Sequence, residues 1–328
     1  MSDQEFRLKN ANLSVIQLIS AKQAMTELQK IDDYISNFSK FDLESRLKSS
    51  SGTVNDYFAF LARHILSWNE EYSECIGIFI NYINTICIDQ LQLLTLPSRI
   101  LIVLTDGRDE NNAAYCRNKN VIVLPRDRVQ MHERNRQVFI HELFHIWSKQ
   151  DINMEIRDEL YASIGYYRIP TESQVEFPAS LSEIKITNPD APLVMKYFIN
   201  LTKREDTSDK TYKCTPILHA SRPFDPAFFT NMFRYFVATT LILDDDTYEP
   251  LQPLEYLPYD QTKDFLDQIG ENTHYIIHPE EILAENFVLW MISSQDPDQL
   301  KTPAIVQRMN DIIARAATSI PSNNGNIL

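Results

Sequence analysis

Residues 141–145 read His-Glu-Leu-Phe-His, and this spacing is the place in the chain where chemistry is easiest to see. On a helix, side chains at i and i+4 stand on one face, so the imidazoles of His141 and His145 can reach a single ion. Two imidazoles are good ligands for zinc, and Glu142 between them would stand beside a water polarised by that ion. A carboxylate there can take the water's proton and act as general base. The flanks Val138, Phe139, Ile140, Leu143, Phe144, Ile146 and Trp147 make the helix apolar nearly all round, which predicts burial. Three ionisable side chains on a buried helix are costly unless something satisfies them, and an ion with its water would do so.

A hydrolytic zinc needs a third protein ligand and one open position. The segment from His278 to Phe287 offers one. Pro279 suits the first turn of a helix, and Glu281 and Glu285, four apart, share a face of it. Leu283, Phe287 and Trp290 are placed to pack that helix inward. Glu159, with a small residue three positions on, is a nearer carboxylate in sequence. It lacks an acid four on and sits beside Arg157-Asp158, which reads as exposed. The order of preference for the ligand is Glu281, Glu285, Glu159.

The pairing of these two motifs resembles the gluzincins, the zinc peptidases that include the thermolysin-like and membrane-bound enzymes. The resemblance implies that Glu281 binds zinc and that Ala284 is the small residue at the helix contact. It also implies that Glu285 hydrogen-bonds His141. Those families usually carry Asp where this chain has the longer Glu285, so the roles of Glu281 and Glu285 are open to exchange. The resemblance implies one zinc per chain, a protein or peptide substrate, and a two-lobe fold. It further implies a substrate-holding edge strand before the active helix, at Ala113, Ala114 and Tyr115. Blocks at 157–165, 186–192 and 278–287 also resemble a group of bacterial metallopeptidase-like proteins, a likeness that brings no substrate with it.

For the oxyanion of the transition state, His278 and Tyr275 are the candidate donors, with His274, Tyr161, Tyr166 and Tyr167 behind them. The loop Asn188-Pro189-Asp190-Ala191-Pro192 suits either a cleft wall or a plain turn. The run Asp244–Asp246 lacks the spaced ligands of a calcium loop and reads as a solvated turn.

The elements that must position these groups follow from pattern. The expected class is α+β, mostly α. Residues 1–95 read as a helical region: Leu13, Ile16 and Ile19, then Met25, Leu28, Ile31, Ile35 and Phe38, recur at helical spacing, and a further helix runs from about 55 to 68. Residues 96–328 read as the catalytic region. The β-branched runs at 100–104 and 121–124 predict a small sheet leading into the active helix by about 150. A helical lobe follows, with starts at Pro226, Pro279 and Pro303 and a helix from 226 to about 243.

Composition excludes several classes. A net charge of -14 disfavours a nucleic-acid partner. The N-terminus carries no apolar core of a secretory signal, and the greasy stretch 76–88 is too short to span a bilayer. Cys75, Cys87, Cys116 and Cys214 form no C-x-x-C pair and read as reduced thiols. A cytoplasmic setting is expected, and an export route that uses no N-terminal signal is compatible with the same residues. Residues 322–326 read as a disordered tail.

Three functions fit the pattern: a zinc peptidase, a zinc hydrolase of a non-peptide bond, and an inactive binding protein on the same fold. Retention of Glu142 counts against the last, because a purely structural ion has no use for a base.

Overall fold

A computed structural model of the chain describes residues 4–170, 172, 175–208, 210–228, 230–292 and 300–319, so the 322–326 tail lies outside the described residues. Helix makes up 44% and strand 19% of it, in a mixed α/β arrangement with two small sheets.

The first sheet contains β1 (Gln4–Arg7), β2 (Val15–Leu18), β3 (Arg99–Thr105), β4 (Tyr115–Arg117) and β5 (Val121–Pro125), in the order β1-β2-β3-β5-β4. β2, β3 and β5 run parallel, while β1 and β4 are antiparallel to their single neighbours. Parallel strands need a long crossover. Between β2 and β3 it consists of α1 (Ala21–Leu28), α2 (Asp33–Ser36), α3 (Lys40–Leu47), α4 (Val54–His64), α5 (Glu70–Ile86) and α6 (Ile88–Leu91). Several of these starts are local: Ser20, Ser39 and Thr53 each accept a hydrogen bond from the amide three residues on, and Gln23, Asp42 and Asp56 return one.

The strand alternation then decides what covers each face. Ile100, Ile102, Leu104, Ile122 and Leu124 pack in one cluster with Ile76, Phe79 and Ile80 of α5 and with Phe139 and Leu143. Val103, Val121 and Val123 point the other way, onto Ala24, Leu28, Tyr57 and Leu61. The central strands are thus buried on both faces, as a largely parallel sheet requires. Pro125 ends β5, and after a short 3-10 turn the chain enters α7 (Glu133–Ser148), which carries residues 141–145.

The second half departs from expectation. After α8 (Met154–Ser163) the chain builds an antiparallel meander of β6 (Tyr166–Arg168), β7 (Tyr197–Thr202), β8 (Thr211–Ala220), β9 (Phe236–Ile242) and β10 (Tyr256–Leu257). Between β6 and β7 lies the short α9 (Ala179–Ser182). The remaining helices are α10 (Phe265–Ile269), α11 (Pro279–Ile292) and α12 (Pro303–Ser319).

Three sequence expectations are corrected here. In place of the expected helix over 226–243 there is a turn closed by Phe228 N–H on the Asp225 carbonyl, a single 3-10 turn at Met232–Tyr235, and then β9, which pairs with β8 from Phe236 to Ile242. Phe236-Val237 and Thr239-Thr240 are aromatic and β-branched, residues that fit a pleated surface, and the long partner β8 outweighs their helical spacing. Leu13, Ile16 and Ile19 are not helical either, since Val15–Leu18 is β2, so residues 1–95 contribute two strands as well as helices. The edge strand begins at Tyr115, with Ala113 and Ala114 just outside it, because Asn111 and Asn112 take left-handed backbone angles that keep the chain turning. Among the described residues no helix is long and apolar enough to cross a membrane.

Candidate metal centre

α7 and α11 cross beside the cleft with Phe144 against Phe287, ring centroids 5.3 Å apart, and with Ala284 fully buried at the contact. That packing sets the chemistry. His141 and His145 lie on one face of α7, their ring centroids 4.8 Å apart. Pro279 opens α11, so the first turn presents Glu280 and Glu281 near the positive end of the helix dipole, which favours carboxylates.

Glu281 Oε2 stands 2.9 Å from His141 Nε2 and 3.5 Å from His145 Nε2. These three atoms form a group that could hold a metal ion, all lying within 4.8 Å of one another. His145 Nε2 is buried and makes no hydrogen bond. An orphaned ring nitrogen facing a carboxylate fits a metal ligand, since a buried polar atom left without a partner is otherwise costly.

Each imidazole is aimed by a carboxylate on its other nitrogen. Glu285 Oε1 is 3.0 Å from His141 Nδ1, and Glu280 Oε1 is 3.0 Å from His145 Nδ1. Glu280 is held in turn by Ser148 Oγ and, at 2.5 Å, by the Tyr161 hydroxyl. Asn188 donates to Glu281 Oε1 at 2.7 Å and fixes the oxygen that does not face the histidines. This constellation makes the site strongly receptive to positive charge. Burial alone would depress the His141 imidazole, but its hydrogen bonds to Glu281 and Glu285 raise it to about 10. Glu281 opposes burial in the same way: the two histidines hold it well below the ordinary carboxylate range.

Glu142 is buried beside this group. Its carboxyl is raised to about 7, first by burial and then by Asp190, against the lowering effect of His145 and His141. The Cys116 thiol donates to Glu142 Oε2 at 3.3 Å. Glu142, Cys116 and Asp190 form a second close group with ligand atoms within 4.8 Å of one another.

A cleft of about 480 Å³ opens over these residues. Ala113, Ala114 and Tyr115 line one side of it, where the chain enters the edge strand β4 of the first sheet. Asn188, Pro189 and Asp190 form another wall, and Leu218 and Phe236 of the second sheet, with Phe233 just before β9, bring an apolar surface. The 187–190 loop is tied down from below. Asp42 Oδ2 accepts from Thr187 Oγ1 at 2.8 Å, and Arg46, buried, reaches Asp42 Oδ1 and Glu110 Oε1, each at 2.7 Å.

Tyr275 lies on the cleft with its ring 6.4 Å from that of His141. It is 44% exposed, and a phenol, ordinarily titrating at about 10, is a donor at neutral pH. His278 is placed elsewhere. It is buried behind Asn188, with Nε2 2.9 Å from the Asn188 amide and Nδ1 unpaired, and it does not line the cleft. Burial holds it neutral. Glu159 is exposed and pairs with Arg315, away from the histidines. Asp244 caps its own turn by accepting from the Asp246 and Thr247 amides. The four cysteines are free and buried.

Sequence reasoning missed Glu280 and the role of Asp190 beside Glu142. Neither left a signal in the sequence: which way Glu280 points depends on Tyr161 of α8 arriving beside it, and Asp190 reaches Cys116 across 74 positions. Comparison of the chain with family models, with curated proteins and with solved structures finds no match.

Proposed function

We propose that this protein is a zinc-dependent peptidase. The observation that carries the proposal is the convergence of His141 Nε2, His145 Nε2 and Glu281 Oε2 beside a buried, otherwise unexplained Glu142. Ligands about 2.0–2.2 Å from a tetrahedral zinc stand roughly 3.3–3.6 Å apart; the 3.5 Å between His145 Nε2 and Glu281 Oε2 matches, while the 2.9 Å between His141 Nε2 and Glu281 Oε2 is a hydrogen bond that an ion would open by a few tenths of an ångström. His141, His145 and Glu281 would hold the ion. Zinc, when bound, polarises a carbonyl and acidifies water.

The chain's own residues do the rest. Glu142, raised towards neutrality, takes a proton from the attacking water and passes it to the leaving amine. Tyr275 stands on the cleft as a protonated donor for the developing oxyanion. Glu285 and Glu280 keep the imidazoles aimed. An edge strand, Tyr115–Arg117, stands beside the cleft, and main-chain pairing is what such an edge offers, which favours a peptide over other hydrolysable substrates.

Glu142→Gln should keep about one zinc per chain while lowering hydrolysis of peptides by roughly 10²–10⁴-fold. His141→Ala and His145→Ala should lose the metal. A wild-type rate in Glu142→Gln would remove the mechanism.

A further inference from the structure

The free edge of the first sheet is not free along its length. The Cys116 amide, which would point outward to a new strand, donates instead to Asp190 Oδ1 at 2.8 Å. Asp190 is fixed there: its own amide donates to Asn188 Oδ1 at 2.7 Å, and Lys149 Nζ lies 3.5 Å from the same Oδ1 and 3.2 Å from the Pro189 carbonyl. Outward groups alternate along a strand, so the next pairing position is Ala114, where no hydrogen bond to the amide occurs among the described residues. A single outward residue can exchange both of its main-chain hydrogen bonds with one residue of an antiparallel partner, whereas a parallel partner must supply two residues along slanted bonds. The antiparallel partner runs from the Cys116 end of β4 towards Ala113. Its N-terminal end is therefore the end that meets Asp190.

We infer that the cleft receives the free N-terminus of a peptide, with Asp190 taking the ammonium, so that hydrolysis removes one residue at a time. This rests on the peptidase reading above. Asp190 is only 7% exposed and lines the cleft, and its Oδ2 has no hydrogen-bond partner among the described residues. A peptide's α-nitrogen is about 2.5 Å from its own carbonyl carbon. An ammonium at Asp190 thus puts the first peptide bond beside Glu142, whose carboxylate lies within 4.8 Å of that of Asp190. Water adds its oxygen to that carbonyl carbon and the C–N bond breaks. The proton taken by Glu142 goes to the leaving nitrogen, giving a free amino acid and a peptide one residue shorter.

The test uses zinc-loaded Glu142→Gln protein and the hexapeptide Leu-Ala-Leu-Ala-Leu-Ala, with a free or an acetylated N-terminus. Calorimetry should show the free amine bound at least tenfold more tightly, and adding Asp190→Asn, which keeps an acceptor for Cys116, should abolish that preference. Equal affinity for the two peptides, or an equal loss on both with Asp190→Asn, overturns the inference without any assay of turnover. Wild-type protein with the same peptides, followed by mass spectrometry, should release single residues from the free amine only. Internal cleavage of the acetylated peptide would overturn the inference and leave peptide hydrolysis standing. Preferential binding without products would instead remove hydrolysis and leave the ammonium site.

Discussion

The two histidines of the site differ in what stands behind them. His141 faces the cleft, and the carboxylate on its Nδ1, Glu285, has a side chain 41% exposed. His145 is fully enclosed, and its carboxylate, Glu280, is 3% exposed and held by Ser148 and Tyr161. One imidazole is aimed by a group that water can replace, the other by a group locked into the packing of α7, α8 and α11. The difference teaches that the inner half of the cage is structural as well as chemical, while the outer half is adjustable.

The comparison breaks most visibly in metal affinity. Glu281 touches both imidazoles, so Glu281→Ala should weaken zinc binding by more than the roughly 10–100-fold expected for Glu285→Ala, measured by competition with a chelating dye. The opposite ranking would exchange the roles of ligand and orienting group.

Stability gives the next contrast. Glu280→Ala strands His145 Nδ1, Ser148 Oγ and the Tyr161 hydroxyl in a dry interior, which should cost about 3–5 kcal/mol. Glu285→Ala removes a carboxylate whose side chain is 41% exposed, so water can replace its contact with His141 and the loss should be smaller than for Glu280→Ala. Urea unfolding of the two chelated variants decides it, and equal losses would erase the distinction between the two halves.

That distinction was half legible in the sequence. His141, His145, Glu281 and Glu285 declare themselves because helical spacing alone puts each pair on one face, and the apolar flanks announce burial. β3, β5 and the starts of α11 and α12 are equally local in origin. Glu280 is different: its neighbour in sequence does not reveal which way it points, and its role depends on α8 arriving beneath it. Asp190 and Cys116 meet through a loop and a strand 74 positions apart, which no spacing rule reaches. The second sheet failed for the same reason. Residues 236–242 carry a pattern compatible with either helix or strand, and only pairing with β8 settles which.

Protons offer a third way to sharpen the contrast. In chelated protein His141 titrates at about 10, above its ordinary value of 6.5, so its contribution to stability is complete below about 6.5 and is lost as pH rises towards 10. Glu142, raised to about 7 from 4.5, acts in the same direction between those values. Chelated protein should therefore become less stable from pH 6 to pH 9, while the stabilisation produced by added zinc, which needs neutral imidazoles, should grow. Urea midpoints at the two pH values, with chelator or with zinc, check both signs. Glu285→Gln should flatten the chelated slope, since Glu285 is one of the two carboxylates that raise His141.

The smallest effect tests the one contact that the two halves share. Asn188 donates to Glu281 Oε1, the oxygen turned away from both histidines, and so restrains the carboxylate without touching either imidazole. Asn188→Ala should lower zinc affinity by roughly tenfold, the lower end of what outer contacts contribute. Asn188→Asp, which sets a second negative charge against Glu281, should be worse than Asn188→Ala at neutral pH. If the two variants are instead equivalent, Glu281 is held by the helix alone, and the difference between inner and outer histidines rests wholly on Glu280 and Glu285.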